Sequence, residues 1–86
     1  MKKFKLQIAA PDGMRFDGEA VMISVRGISG ELAIMAGHIP FVTAIVPCDC
    51  NIEDESGTIK TGHTEGGILT VSNDGVTFLS GSFKWN

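Results

Sequence analysis

Glycine and proline punctuate this chain so evenly that no stretch free of both is longer than the first ten residues, Met1 to Ala10. Gly and Pro are the two poorest residues in a helix interior, and an ordinary helix needs about three uninterrupted turns. The punctuation therefore predicts an all-β fold with no substantial helix. The periodicity agrees. Phe4, Leu6 and Ile8 alternate with Lys5 and Gln7, and Val21, Ile23 and Val25 alternate with Met22, Ser24 and Arg26, as in half-buried strands. Turn signals stand at Pro11-Asp12-Gly13, Asp17-Gly18, Gly27 to Gly30, Glu55-Ser56-Gly57, Gly66-Gly67 and Asn73-Asp74-Gly75. Further short runs, rich in β-branched residues, read as strands: Leu32 to Met35, Phe41 to Val46, Cys48 to Ile52, Thr58 to Thr64, Ile68 to Ser72 and Val76 to Ser80. Many short strands at this spacing predict a sandwich or flattened barrel. The clearest hairpin is Ile68 to Ser80 around Asn73-Asp74-Gly75, where an Asp-Gly step tolerates positive φ.

The 86 residues predict one domain spanning 1–86 with a thin core. The chain carries a net charge of −3, and its seven basic residues are scattered apart from three at the N-terminus. That distribution offers no groove for nucleic-acid phosphates. No Tyr and a single Trp, Trp85, leave no stacking platform for single strands. The basic start is not followed by an apolar run, so the reading is of an intracellular protein that is not exported. Cys48 and Cys50, one residue apart, fit reduced thiols better than a disulfide framework.

The inventory of reactive side chains is short. A catalytic thiol would have to draw on Cys48 or Cys50 with His38 or His63, and no nucleophile signature surrounds either cysteine. Two cysteines on one strand face supply half of a tetrahedral metal site. The acidic group Asp49, Glu53, Asp54 and Glu55 matches no calcium loop. Gly27 to Gly30 and Gly66-Gly67 lack the helix and Lys of a phosphate cradle. No catalytic residue, metal or cofactor is therefore expected.

One stretch stands apart: Gly30-Glu31-Leu32-Ala33-Ile34-Met35-Ala36-Gly37-His38-Ile39-Pro40, followed by the nearly continuous apolar run Phe41 to Ile45. Taken with Pro11-Asp12-Gly13, Gly18-Glu19 and Gly66-Gly67-Ile68-Leu69, it resembles the N-terminal domain of the epsilon subunit of bacterial F-type ATP synthase. The resemblance covers essentially the whole chain, and its most specific part is the segment from Gly-Glu-Leu to Gly-His-x-Pro. It implies a ten-stranded flattened β-sandwich at the foot of a rotating central stalk, peripheral to the cytoplasmic face of the cell membrane. By the same resemblance Ala10, His38, Val42 and Thr43 face the gamma subunit, and Ser29, Gly30 and Glu31 meet the c-ring. The implied role couples proton or sodium transport to ATP synthesis without a catalytic group, the isolated chain being monomeric. Members usually continue into a C-terminal helical hairpin that restrains ATP hydrolysis. The chain stops at Phe83-Lys84-Trp85-Asn86, so coupling without braking is the expectation.

Two other classes compete with this reading. A small β-barrel carrier or ligand-binding module would present a modified Lys in an exposed hairpin or a polar mouth. Lys60, the one Lys between Lys5 and Lys84, has no Met-Lys-Met setting. An enzyme using the Cys and His residues would need a thiol of lowered pKa.

Overall fold

A computed structural model describes residues 2–37 and 39–86; His38 lies outside the described residues. Ten strands follow one another: β1 Phe4–Ala10, β2 Gly13–Ala20, β3 Met22–Gly27, β4 Gly30–Met35, β5 Phe41–Ile45, β6 Cys48–Glu53, β7 Ile59–Thr64, β8 Gly67–Ser72, β9 Gly75–Ser80 and β10 Phe83–Trp85. They form one continuous ladder in the order β10-β7-β6-β3-β5-β8-β9-β1-β2, with β4 attached to the other side of β3. The ladder folds over on itself as a flattened, nearly closed sandwich, one layer being β2-β1-β9-β8-β5 and the other β10-β7-β6-β3-β4. The all-β expectation and the strand number both hold.

The alternation read from the sequence sets which side chains go in. Leu6 and Ile8 of β1, Ile23 and Val25 of β3, Leu69 and Val71 of β8, and Val76 and Phe78 of β9 meet in one core with Ile34, Ile45, Cys50, Ile52 and Phe83. Each fully buried Leu, Ile or Phe contributes about 1.5–3 kcal/mol. The predicted hairpin is β8–β9, closed at Ser72↔Gly75 over the two residues Asn73 and Asp74. Positive φ falls on Gly75, at +147°, and not on Asn73 or Asp74.

Two strands escaped the sequence reading. Asp17-Gly18, expected as a turn, lies inside β2, where Gln7↔Asp17 and Leu6↔Gly18 continue a ladder running to Phe4↔Ala20. The long-range pairing overrides the local turn preference. β10 is only three residues long and pairs with β7 through Phe83↔Thr64, Lys84↔His63 and Trp85↔Gly62.

The sandwich folds over at Pro47. On its flank facing away from β4, the end of β3 meets β5 at Gly27↔Ile45, and its first half meets β6 at Met22↔Glu53 to Ser24↔Asn51. Val46 N–H reaches Arg26 O at 3.1 Å. Arg26 N–H goes to the sulfur of Cys48 at 3.3 Å instead of to a carbonyl. Cys48 thus accepts a backbone donor at the corner of the sheet, beyond filling a strand position.

The opposite flank is closed by side chains. Between Ile8↔Phe16 and Ala9↔Met14 the register shifts, making Arg15 an extra residue in β2, and such a bulge re-aims a side chain. Arg15 Nε donates to Phe83 O at 3.1 Å, and Trp85 Nε1 donates to Arg15 O at 3.1 Å. The Trp85 ring stands 4.9 Å from Phe83 and 6.3 Å from Phe16. The two end strands of the ladder are thereby joined.

Candidate docking surfaces

Paired residues in a ladder share a face, so the registers determine what each layer shows to solvent. On the outer face of the β5-β8-β9-β1-β2 layer, Ala44 pairs with Ile68, Ile68 with Leu79, Leu79 with Ala9 and Ala9 with Met14. Every member of this five-strand row is apolar. Leu79 is 56% and Met14 53% exposed, and Ile68 is exposed as well. The adjoining row is Val42, Thr70, Thr77, Gln7 and Asp17, apolar at its exposed Val42 end and polar beyond.

The outer face of the other layer is built differently. Its rows carry Ser24, Asn51 and Thr61, with Thr61 Oγ1 donating to Asn51 Oδ1 at 2.8 Å. Beside them His63 Nδ1 lies 3.1 Å from Asp49 Oδ1, and Nε2 lies 2.7 Å from Glu65 Oε2. This layer also exposes Met35 and Ile59, but the row that joins them through Met22 is broken by Glu53, so the uninterrupted apolar row of the first layer is the one that best fits a partner.

The anticipated gamma-facing residues are not gathered into one cluster. Val42 points outward on β5 beside the apolar row. Thr43 points to the inner face, paired with the fully buried Leu69, and is half-buried. Ala10, at the end of β1, packs partly buried against the core. The strands that separate Ala10 from Thr43 carry the apolar row, whose members Ala9 and Ala44 are the chain neighbours of these two residues. Sequence reading missed Ala9, Met14, Ala44, Ile68 and Leu79. The available signal was phase: Ile68 and Leu79 are apolar at positions where the alternation of Leu69/Val71 and Val76/Phe78 calls for polar residues.

Ser29, Gly30 and Glu31 form the tip and first strand residues of the β3–β4 hairpin, all exposed. Gly30 has φ of +129°, which a side chain rarely adopts, so the tight turn selects glycine here. Across the hairpin Arg26 Nη2 lies 3.5 Å from Glu31 Oε1. Ile28, next to the tip, is 71% exposed. The hairpin presents an acidic side chain and an apolar one together at one end of the sandwich.

Among the described residues, those weighed for thiol chemistry are kept apart. Cys48 and Cys50 flank Asp49, whose register partner is His63, so His63 lies on the outer face and both cysteines on the inner. Burial foremost, with the neighbouring Cys48, pushes the Cys50 thiol up to about 12, away from a reactive thiolate. His63 is raised from its ordinary 6.5 by its hydrogen bond to Asp49 and then by that to Glu65. A raised folded-state pKa adds stability that is complete below the unfolded value and is lost as pH rises through the folded one. The unsubstituted chain should therefore lose melting temperature as pH rises above the ordinary histidine value of 6.5, and His63→Gln should flatten that slope. Thermal unfolding on both sides of that value checks this, and the difference is expected to be small because the ring is exposed. Parallel slopes would show that the two carboxylates do not hold the proton.

Comparison with known proteins follows the same lines. The family model for the ATP synthase delta/epsilon chain beta-sandwich domain matches residues 3–86. The ATP synthase epsilon chain of Clostridium perfringens is 39% identical over 85 residues, covering 99% of this chain and 64% of that protein. The sodium ion specific ATP synthase epsilon chain of Acetobacterium woodii is 37% identical over 82 residues, covering 95% and 62%. The chain thus spans less than two thirds of the length of these relatives. In fold it resembles a chain of the Euglena gracilis mitochondrial ATP synthase OSCP/F1/c-ring structure, with a TM-score of 0.90 and 22% identity over 96% of this chain and 53% of that one. A second likeness, with a TM-score of 0.77 and 16% identity over 95% of this chain and 66% of that one, is to the central stalk/c-ring structure of the Tetrahymena thermophila mitochondrial enzyme. The ten-strand sandwich, its apolar outer row and this match over nearly every residue carry one conclusion: the chain belongs to the family of ATP synthase delta/epsilon chain beta-sandwich domains.

Proposed function

We propose that this chain, as a single domain over residues 1–86, is a rotor subunit of an F-type ATP synthase that holds the gamma subunit and the c-ring together so that they turn as one. It couples proton or sodium transport to ATP synthesis by mechanical attachment, contributes no catalytic group and binds no cofactor. It sits peripherally on the cytoplasmic face of the cell membrane through the complex and binds no nucleic acid.

The observation that carries the reading is the outer row Ala44-Ile68-Leu79-Ala9-Met14. A small domain gains nothing by exposing Met14, Ile68 and Leu79 on one face, joined by the half-buried Ala9 and Ala44, unless a partner covers them. We assign this face to the gamma subunit, with Val42 beside the row, Ala10 and Thr43 next to its two alanines in the chain, and His38 by its place in the sequence. Ser29, Gly30 and Glu31 at the β3–β4 tip are assigned to the polar loops of the c-ring.

Co-purification tests both assignments. The folded chain is expected to capture the gamma subunit of its own organism, and failure to bind it would sink the reading. Glu31→Lys should reduce association with the c-ring, read as lost coupling of ion transport to ATP synthesis in the reconstituted enzyme. Undiminished coupling would overturn the assignment of the tip.

A further inference from the structure

Three strands end a ladder in this sandwich. Two of them, β2 and β10, cover one another through Arg15, Phe83 and Trp85. The third, β4, pairs with β3 alone among the described residues. Its register from Gly27↔Gly30 to Met22↔Met35 runs without a bulge, and it contains neither Lys nor Pro. Bulges, Lys and Pro are usual devices by which an edge is protected from pairing; the one charge on β4 is Glu31, which lies 3.5 Å from Arg26 on the neighbouring strand.

The direction of its free backbone groups follows from the corner at Pro47. Arg26 spends its N–H on Cys48 Sγ and its C=O on Val46 N–H, both away from β4. Arg26 and its partner Glu31 are therefore a non-hydrogen-bonded pair of the antiparallel ladder. Glu31 turns its own N–H and C=O to the open edge, and by alternation so do Ala33 and Met35. Such an edge is complementary to one kind of ligand, an extended polypeptide backbone.

Its surroundings say whose. The ring-facing tip residues Ser29, Gly30 and Glu31 begin this edge, and the segment leaving its far end leads to Val42 and Thr43. Exposed apolar side chains bracket it in the chain, Ile28 at 71% before and Ile39 at 77% after, with Met35 on the strand itself. We propose that the gamma subunit adds an extended segment of its own to β4, so that main-chain hydrogen bonds along this edge supplement the apolar face. The inference rests on the rotor reading and adds to it a mode of attachment.

Ala33→Pro is the test, because proline at an edge position whose N–H faces outward removes a donor the fold does not use. Its affinity for the gamma subunit should fall about tenfold or more, with the unfolding midpoint little changed. Amide exchange on the unsubstituted chain gives a second measurement, independent of how the variant folds: Glu31, Ala33 and Met35 should exchange more slowly with the gamma subunit bound. Full affinity in a folded Ala33→Pro chain, or unchanged exchange at these three amides in a complex that forms, would overturn strand addition and leave the rotor reading standing. Absence of any gamma complex with the unsubstituted chain would remove both.

Discussion

Gly67→Ala should destabilise this domain by about 3 kcal/mol or more, a large fraction of the 5–15 kcal/mol that holds a small domain together. The cause is neither a lost contact nor an unusual dihedral. Gly67 sits where β8 is flanked by Ile45 of β5 and Ser80 of β9, and a Cβ there would lie 2.0 Å from the carbonyl oxygen of Leu79. The obstruction is backbone, so relief requires the β8–β9 ladder to move apart at the end where Thr64 and Ser80 share a buried hydroxyl hydrogen bond of 2.7 Å. Gly18→Ala is the matched control. A Cβ at Gly18 meets only the Phe16 ring at 3.6 Å, an ordinary contact, and replacing a strand glycine there should be neutral or gain about 0.5 kcal/mol. Urea unfolding of the two variants decides the matter: equal midpoints would mean that β8 and β9 are not packed this closely.

The two glycines also mark how far the sequence could be read. Even punctuation excluded helices, and alternation identified the inward phase of β1 and β3, because both are local signals with a direct steric cause. Asp17-Gly18 misled for the same reason. As a dipeptide it is a turn signal, and only pairing with β1 makes it strand. The bulge at Arg15 was equally hidden, since its purpose is to reach Phe83 and Trp85 some seventy residues away. Cys48 gave no sign of its role in the sequence, because accepting Arg26 N–H is possible only once β3, β5 and β6 meet at the corner.

For the docking face the division is sharper. The turn at Gly27 to Gly30 was legible because its residues are contiguous, and the β3–β4 hairpin closes there at Gly27↔Gly30. The apolar row was not, since its five members come from five strands, and the link between Leu79 and Ala9 is the parallel pairing of β9 with β1. No window of sequence contains it. Each member read singly is an unremarked apolar residue on a small protein's surface, which is common enough to need no explanation. Only their alignment makes them a surface.

Leu79→Asp should abolish most of the affinity for the gamma subunit while leaving the fold in place, and Ile68→Asp should do the same. Both side chains are exposed in the free chain, so a carboxylate there stays solvated and costs little stability. In the complex it loses the apolar contact, about 1.5–3 kcal/mol, and a charge must be desolvated without a partner. Together these make a loss of at least about 3 kcal/mol, or roughly a hundredfold in Kd. Lys84→Asp, a change at another exposed position, on β10 at the far side of the sandwich, should leave the affinity within about threefold, apart from a salt-dependent change in association rate. The contrast separates a located apolar interface from a general charge effect. Binding titrations at two salt concentrations supply the reading. If Leu79→Asp and Lys84→Asp weakened the complex equally, or if neither did, the gamma subunit would have to be held elsewhere, and the exposed row would lose the explanation that a partner gives it.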